Sequence, residues 1–344
     1  MEYNGILVTH DTDEGMDLDR LIGARLAVGF PGTEATHELI ESLRRTQAQS
    51  LVLFSRNATS PEQVTRLLRD LATGIGRRFL VLVDHEGGRV IRFAQGVTRF
   101  PDASTVGRAK DPVAVERQGI VEATELRQLG VHVNLAPCVD VVVEGSDPII
   151  GDRSYGSDPD VVSQLAIARI RGLQGHGVAA CAKHFPGLGA VPRDPHKVLP
   201  TISLTWEEME RVHLVPFQRA IEAGVASIMS SHVCYPGLGE PAGLPTTWSP
   251  RLIRQLLRDR LRFDGVIMTD DLEMGALRAV GSMGEIAVRA TEAGHDLLLM
   301  CSDLAVAEEA LSGLQAAYQS ERLSMDELAQ SVKRIERLRE HYLS

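Results

Sequence analysis

Short apolar runs alternate with longer amphipathic stretches along most of this chain. The apolar runs are rich in β-branched residues and mostly lack polar alternation, which is typical of parallel strands buried on both faces. The pattern therefore predicts strands that are joined by helices. Eight strands are predicted: Ala24–Phe30, Ser50–Ser55, Phe79–Val83, Val131–Leu135, Val178–Ala182, Ala226–Ser230, Gly265–Thr269 and Asp296–Cys301.

The stretches between these runs have helical spacing and recognisable ends. Ser60-Pro61 and Ser249-Pro250 each combine an N-cap residue with proline at the first helical position. Gly294 stands where the end of a helix favours glycine. The predicted helices include Pro61–Ala72, Val113–Leu129, Asp158–Gly175, Trp206–Ala223, Pro250–Leu261, Glu285–Ala293, Leu304–Ala317 and Met325–His341.

Eight strand–helix units predict an α/β fold, a (β/α)₈ TIM-type barrel. The alternative is an open parallel sheet with two strands misassigned. No low-complexity segment or linker divides the 344 residues, so we expect one catalytic domain over 1–344. Within it, residues 1–20 are predicted to be an N-terminal extension, and residues 321–344 an extra C-terminal helix that packs outside the barrel.

Composition and charge narrow the classes of function. The net charge of −10 argues against a nucleic-acid partner, and no apolar segment approaches the length of a membrane span. The four cysteines form no CxxC pair, and the acidic start is unlike a signal peptide. We therefore expect a cytoplasmic protein with reduced thiols, no membrane partner, and a monomeric or weakly homo-oligomeric state.

Polar residues lie at the end of, or shortly after, five of the predicted strands. In a barrel these ends converge on the face that carries active sites, so the pattern predicts an acid-rich pocket for a polyhydroxyl substrate. No HExxH, zinc-spaced Cys/His cluster, GxGxxG or Walker loop is present, so we expect no metal and no cofactor. The strand-end residues are Asp84, His85, Glu86, Asp140, Lys183, His184, Ser231, His232, Asp270 and Asp271.

Asp270 and Asp271 end the seventh predicted strand. A carboxylate there can attack an anomeric carbon, although paired acids can also bind a metal or cap a helix. Asp270 comes first off the strand, which favours it as the nucleophile. Asp271 is the better candidate for a capping or supporting role.

Asp194 and His196 lie in a long loop, Phe185–Thr201, after the fifth strand. Their spacing allows the carboxylate to hold an imidazole nitrogen and raise its pKa, as an acid/base catalyst requires. The alternative is a turn with a solvated histidine. The glycines and prolines of the loop predict a lid that moves about its ends, or, alternatively, a loop held closed.

The segment after the third strand offers binding groups. Asp84 can accept bonds from sugar hydroxyls, and Arg92 can donate a forked pair. Alternatively, the two form an ion pair that supports the loop. Gly87 and Gly88 suggest close backbone approach or unusual torsions, and Arg153 brings another cation near the mouth.

Together these segments resemble glycoside hydrolase family 3, in particular its single-domain bacterial β-N-acetylglucosaminidases. The resemblance implies a retaining exo-enzyme that acts on terminal β-GlcNAc of peptidoglycan muropeptides. Rival interpretations are a phosphorylase, a non-catalytic sugar-binding barrel and a metal-dependent barrel enzyme. The matching motifs are Val83-Asp84-His85-Glu86-Gly87-Gly88-Arg89-Val90, Arg153-Ser154-Tyr155-Gly156, Lys183-His184-Phe185-Pro186-Gly187, Asp194-Pro195-His196 and Thr269-Asp270-Asp271-Leu272.

The resemblance also implies roles for individual residues. Asp270 matches the nucleophile, His196 the general acid/base and Asp194 its partner. Two positions depart from the common pattern: Leu188 replaces a histidine and Pro195 replaces a serine. The implied sugar-binding residues are Asp84, Arg92, Arg153, Lys183 and His184.

Overall fold

The computed structural model describes residues 14–146, 149–191, 199–279 and 281–343, and within them eight parallel strands close into a barrel. Each strand pairs with the next along the chain, and the last pairs with the first. The predicted barrel and its eight strands are confirmed. The strands are β1 (Leu26–Val28), β2 (Ser50–Leu53), β3 (Leu80–Val83), β4 (Val133–Asn134), β5 (Ala179–Phe185), β6 (Ser227–Ser230), β7 (Val266–Asp271) and β8 (Leu297–Met300).

Helices surround the barrel. In the described part of the chain, none is long and apolar enough to cross a membrane. Two segments, Met209–His213 and Arg251–Arg260, have π-helical hydrogen bonding. The α-helices are α1 (Glu14–Ala24), α2 (His37–Thr46), α3 (Pro61–Ile75), α4 (Ala103–Ala109), α5 (Pro112–Gln128), α6 (Pro159–Gly175), α7 (Trp206–Glu208), α8 (Leu214–Glu222), α9 (Gly275–Arg278), α10 (Met283–Ala293), α11 (Leu304–Gln319) and α12 (Met325–Tyr342).

Local sequence explains where several helices begin and end. The Ser60 side chain accepts the backbone N–H of Gln63, and Pro61 occupies the first turn of α3. Ser249 likewise accepts the N–H of Leu252 before the segment Arg251–Arg260. These N-cap predictions are confirmed, because each side chain satisfies a donor that has no partner within the helix.

The N-terminal region departs from the prediction. Residues 14–24 form helix α1, which includes the last part of the predicted extension 1–20, and Ala24 belongs to this helix rather than to the first strand. Three of its eleven residues are acidic, but Leu18, Leu21 and Ile22 share one helical face. Ile22 is fully buried, and the two leucines pack against the same core, so tertiary packing stabilises the helix.

Helix α12 closes one end of the barrel. Ile335, Leu338 and Tyr342 join the cluster of side chains that fills the barrel interior. Arg339 donates to the carbonyl of Gln49, just before β2, which identifies this end as the N-terminal one. The predicted extra C-terminal helix is present, and it lies across this opening, where its apolar face completes the interior core.

Helices α5 and α6 approach closely at two glycines. A Cβ atom added to Gly172 would lie 2.3 Å from the backbone oxygen of Glu116 and 2.9 Å from the Cα of Gly119. This close contact brings Arg169 against Glu122, with a bidentate pair at 2.9 and 3.0 Å. The helix pair thereby supports the C-terminal face of the barrel.

We predict that Gly172→Ala destabilises the fold, whereas Gly175→Ala in the same helix does not. The added methyl group at 172 meets rigid backbone, which costs about 1–3 kcal/mol of unfolding free energy. At 175 none of the neighbouring atoms lies within 4 Å of the added Cβ. The higher helix propensity of alanine then determines the change in unfolding free energy, which should be zero or stabilising. Urea unfolding of both variants measures the difference; equal stability would contradict the packing argument.

Candidate active site

Three strands deliver charged side chains to the C-terminal mouth of the barrel. Asp84 directly follows β3, Lys183 lies near the end of β5, and Asp270 lies at the end of β7. Because all strands are parallel in a closed barrel, these ends share one face. The expected convergence of polar strand ends is observed at these positions.

The ammonium group of Lys183 is buried between two carboxylates. Its side chain is 1% exposed, and Nζ donates to Asp84 Oδ1 at 2.6 Å and to Glu86 Oε1 at 2.7 Å. A buried charge of this kind is tolerated only when it is paired. The two contacts therefore hold the segment after β3 against the end of β5.

Two arginines bind the same carboxylates. Arg153 donates through Nε and Nη2 to both oxygens of Glu86, at 2.8 and 2.7 Å. Arg92 donates to Asp84 Oδ2 at 3.2 Å, so the ion pair considered from the sequence is present. We call this set the charged array; it consists of Asp84, Glu86, Arg92, Arg153 and Lys183.

The carboxylates of the charged array are held ionised. Burial opposes ionisation of Asp84, but Lys183 and Arg92 hold its pKa below the ordinary value. Burial likewise opposes ionisation of Glu86, and Arg153 and Lys183 hold its pKa well below the ordinary value. Ionised carboxylates are acceptors only, and the cations retain further N–H donors. The array can therefore both accept hydrogen bonds from hydroxyl groups and donate hydrogen bonds to them.

The turn after β3 depends on two glycines. Gly87 and Gly88 have φ angles of 100° and 55°. A Cβ atom on Gly87 would lie 2.8 Å from the backbone oxygen of Pro101. The unusual torsions and close approach predicted from the sequence are therefore both present, and the turn allows Glu86 and Arg92 to reach the same array.

Asp270 is partly exposed at the end of β7. Its Oδ1 accepts the backbone N–H of Asp271 at 2.8 Å. Burial acts to raise its pKa, but the imidazoles of His184 and His232, then the backbone N–H of Asp271 and the ammonium of Lys183, hold the pKa below the ordinary value. Asp270 is therefore an ionised carboxylate within electrostatic reach of the charged array.

Sequence reasoning gave no role to three residues of this region. Glu86 bridges the array, and the buried carboxylate of Asp140 lies 2.7 Å from Nδ1 of His184. The side-chain amide of Asn134 accepts a hydrogen bond from the backbone N–H of His85 at 3.0 Å and donates one to its C=O at 2.9 Å. Glu86 and Asp140 were visible as acids after strands, whereas the only signal at Asn134 was one amide inside an apolar strand.

Asp194 and His196 lie outside the described residues, which end at 191 and resume at 199. Their predicted pairing therefore stays a prediction. At the start of the loop, the backbone N–H of Leu188 donates to Asp140 Oδ1 at 2.6 Å. Leu188 is buried in the hydrophobic core, which explains how an apolar residue is accommodated at this position.

One group among the described residues has metal-ligand donors close together. Atoms of Cys138, Asp140 and His184 lie within 4.8 Å of one another, and all three residues are buried. They are already linked by hydrogen bonds from Cys138 and His184 to the Asp140 carboxylate. Both ring nitrogens of His232 also have hydrogen-bond partners, as expected for a satisfied strand-end histidine.

Comparisons with known proteins agree with this geometry. The profile of the "Glycosyl hydrolase family 3 N terminal domain" matches residues 18–338. A beta-hexosaminidase of Nitrosomonas eutropha is 38% identical over 297 residues, 84% of each chain. The structure of NagZ from Neisseria gonorrhoeae, in complex with N-trifluoroacetyl-D-glucosamine, is 30% identical with a TM-score of 0.77, over 91% of this chain and 97% of that one.

A second solved structure is a family 3 β-N-acetylglucosaminidase from Paenibacillus sp. FPU-7. It is 37% identical with a TM-score of 0.92, and the match covers 95% of this chain and 62% of that one. The present chain thus corresponds to about three fifths of that protein. The barrel, the site and these similarities together establish that the chain belongs to glycosyl hydrolase family 3 and is a glycoside hydrolase.

Proposed function

We propose that this protein is a retaining exo-β-N-acetylglucosaminidase, with Asp270 as nucleophile and Asp194–His196 as the acid/base pair. The observation that supports it most is the ionised, partly exposed carboxylate of Asp270 beside a charged array suited to sugar hydroxyls. The amino-sugar preference is supported by the hexosaminidase relative and by the N-acylglucosamine in the Neisseria complex.

The proposed reaction has two steps. An oxygen of Asp270 attacks C1 of the terminal sugar while His196 gives its proton to the departing oxygen, which breaks the glycosidic bond and leaves a glycosyl ester. Water then attacks C1, His196 takes its proton, and the Asp270 carboxylate leaves. The anomeric configuration is retained because C1 is inverted twice.

Asp271 is the weaker candidate for the nucleophile. Its Oδ1 accepts the backbone N–H groups of Glu273 and Cys301, both at 3.1 Å. Burial, with the neighbouring charges of Glu273 and Asp270, raises its pKa to about 7. Asp271 therefore gives up its proton less readily than Asp270, and its hydrogen bonds hold the backbone at the end of β7.

We propose a GlcNAc-terminated fragment of peptidoglycan as the natural substrate. A terminal sugar suits a closed barrel whose mouth carries a compact array, and the aglycone then points outward. The four cysteines are free and buried, which supports a reducing compartment such as the cytoplasm.

Water is the proposed acceptor, rather than phosphate. Lys183, Arg92 and Arg153 are each already paired with Asp84 or Glu86. A phosphate dianion would have to compete with these carboxylates and with Asp270 for the same cations.

We predict that Asp270→Asn lowers kcat on a chromogenic β-GlcNAc glycoside by a factor on the order of 10⁴, because a carboxamide cannot form the ester. The matched control, Asp271→Asn, keeps the acceptor oxygen for the backbone and stays within about tenfold of wild type. β-Glucose and β-xylose glycosides serve as the specificity panel. Near-wild-type turnover by Asp270→Asn would refute the assignment.

The acceptor is tested by product analysis with and without inorganic phosphate. We expect free GlcNAc as the sole sugar product in both buffers, at similar rates. Formation of a GlcNAc 1-phosphate in the phosphate buffer would show phosphorolysis.

Asp271 also predicts a pH dependence of stability. Its folded-state pKa of about 7 exceeds the ordinary 3.8, so the folded protein binds this proton more tightly than the unfolded chain. Stability from this group is present below about pH 4 and is lost as the pH rises to about 7, by a few kcal/mol at most.

The Asp271→Asn variant should lack this component, because a carboxamide does not titrate. When the unfolding free energies of both proteins are measured from pH 4.5 to 8, the wild-type value should fall relative to that of the variant as the pH rises. Parallel curves for the two proteins would contradict the raised pKa.

A further inference from the structure

A buried carboxylate lies behind the charged array and has no part in the proposed reaction. Asp140 follows β4 and is fully buried, and its neighbour Cys138 is only 3% exposed. Neither side chain is open to solvent. The contacts of Asp140 with His184, however, connect this carboxylate to the site.

Asp140 is surrounded by donors. Its Oδ2 lies 2.7 Å from Nδ1 of His184 and accepts the thiol hydrogen of Cys138 at 3.3 Å. Its Oδ1 accepts the backbone N–H of Leu188 at 2.6 Å. The backbone nitrogen of His184 lies 3.2 Å from Oδ2. Burial opposes ionisation, but these donors, with His184 first, hold the pKa of Asp140 below the ordinary value.

The proton position on His184 follows from its two neighbours. An ionised carboxylate can only accept, so Nδ1 must carry the hydrogen that faces Asp140. On the other side, Nη2 of Arg153 lies 3.4 Å from Nε2. A guanidinium can only donate, which favours an unprotonated Nε2. The 3.4 Å contact is longer than an ordinary hydrogen bond, so the Nε2 lone pair stays available to a better-placed donor.

We propose that Asp140 is a positioning residue that fixes His184 as the Nδ1–H tautomer, so that Nε2 accepts a hydrogen bond from a hydroxyl of the bound sugar. This role rests on the proposed function, since it assumes a sugar at the charged array. It acts through His184 alone. Asp140 itself touches neither the substrate nor the reacting atoms.

The donor types also resemble a zinc site, and the chemistry of Cys138 argues against that interpretation. Burial, followed by the adjacent charge of Asp140, raises the thiol pKa well above its ordinary value. A metal would need the thiolate and would have to displace the proton on Nδ1. Hydrogen bonding satisfies all three groups without either change.

Asp140→Asn tests the proposal because asparagine has the same shape as aspartate but replaces the acceptor oxygen that faces His184 with an NH₂ donor. The amide oxygen can still accept the N–H of Leu188, but the NH₂ group now faces Nδ1 of His184. The imidazole must then accept there and carry its proton on Nε2, opposite the donors of Arg153. We expect kcat/KM on the β-GlcNAc glycoside to fall about tenfold, mainly through KM, as one sugar acceptor is lost.

Two matched variants separate positioning from general structure. Cys138→Ala removes a donor from the same carboxylate oxygen but leaves the tautomer, so KM should stay within about twofold. In a His184→Ala background, Asp140→Asn should cause no further loss, because its target is gone. An undiminished effect of Asp140→Asn in that background would overturn the proposal.

The tautomer itself is measured by ¹⁵N NMR of histidine-labelled protein, with the His184 signals assigned by their loss in the His184→Ala variant. We expect protonated Nδ1 and unprotonated Nε2 in the wild type, and the reverse in Asp140→Asn. Wild-type protein with the proton on Nε2 would overturn the proposal even if the variant fails to fold. So would chelator-sensitive activity that zinc restores and Cys138→Ala abolishes.

This readout is independent of catalysis. If Asp270→Asn remains active, the proposed function fails while the tautomer can still be as expected. If the tautomer is wrong and Asp270→Asn is inactive, only the role of Asp140 fails.

Discussion

The buried ammonium of Lys183 is the constraint on which the site depends. It has almost no contact with water, so its charge must be balanced by Asp84 and Glu86 at 2.6 and 2.7 Å. Meeting this requirement fixes the turn after β3 against the end of β5. Glu86 then orients Arg153, and Arg153 lies beside His184, so one buried charge determines the positions of several groups at the barrel mouth.

The same site assigns different protonation states to neighbouring acids. Asp84, Glu86, Asp140 and Asp270 are held ionised by cations or N–H donors despite their burial. Burial, together with the charges of Glu273 and Asp270, raises the pKa of Asp271 to about 7. The division is consistent with one carboxylate available for reaction and the others engaged in holding the site together.

The fold could be predicted from the sequence because its pattern is local. Buried parallel strands and amphipathic helices leave distinct periodicities, and caps such as Ser60 mark the helix ends. Helix α1 was missed because its acidic residues hide a narrow apolar face that only packing reveals. The place of α12 also depends on tertiary structure, since no periodicity shows that Ile335 and Leu338 complete the barrel interior.

The site could be predicted only in part, for a similar reason. Strand position and the family 3 resemblance singled out Asp84, Lys183, His184 and Asp270. The partner relations among them, such as Glu86 between Lys183 and Arg153, join residues far apart in sequence. Spacing carries no signal for such contacts, and Asp140 acquires its importance only through the donors that surround it.

The central claim is that Asp270 forms a covalent bond with the sugar, and trapping that bond tests it most directly. A fluorinated β-N-acetylglucosaminide with a good leaving group slows the second step, because ring fluorine destabilises the positively charged transition state. Intact-protein mass spectrometry followed by peptide mapping should find one N-acetylglucosaminyl adduct, located on Asp270. An adduct on another residue, or rapid turnover to a product of inverted configuration with no adduct, would contradict the account.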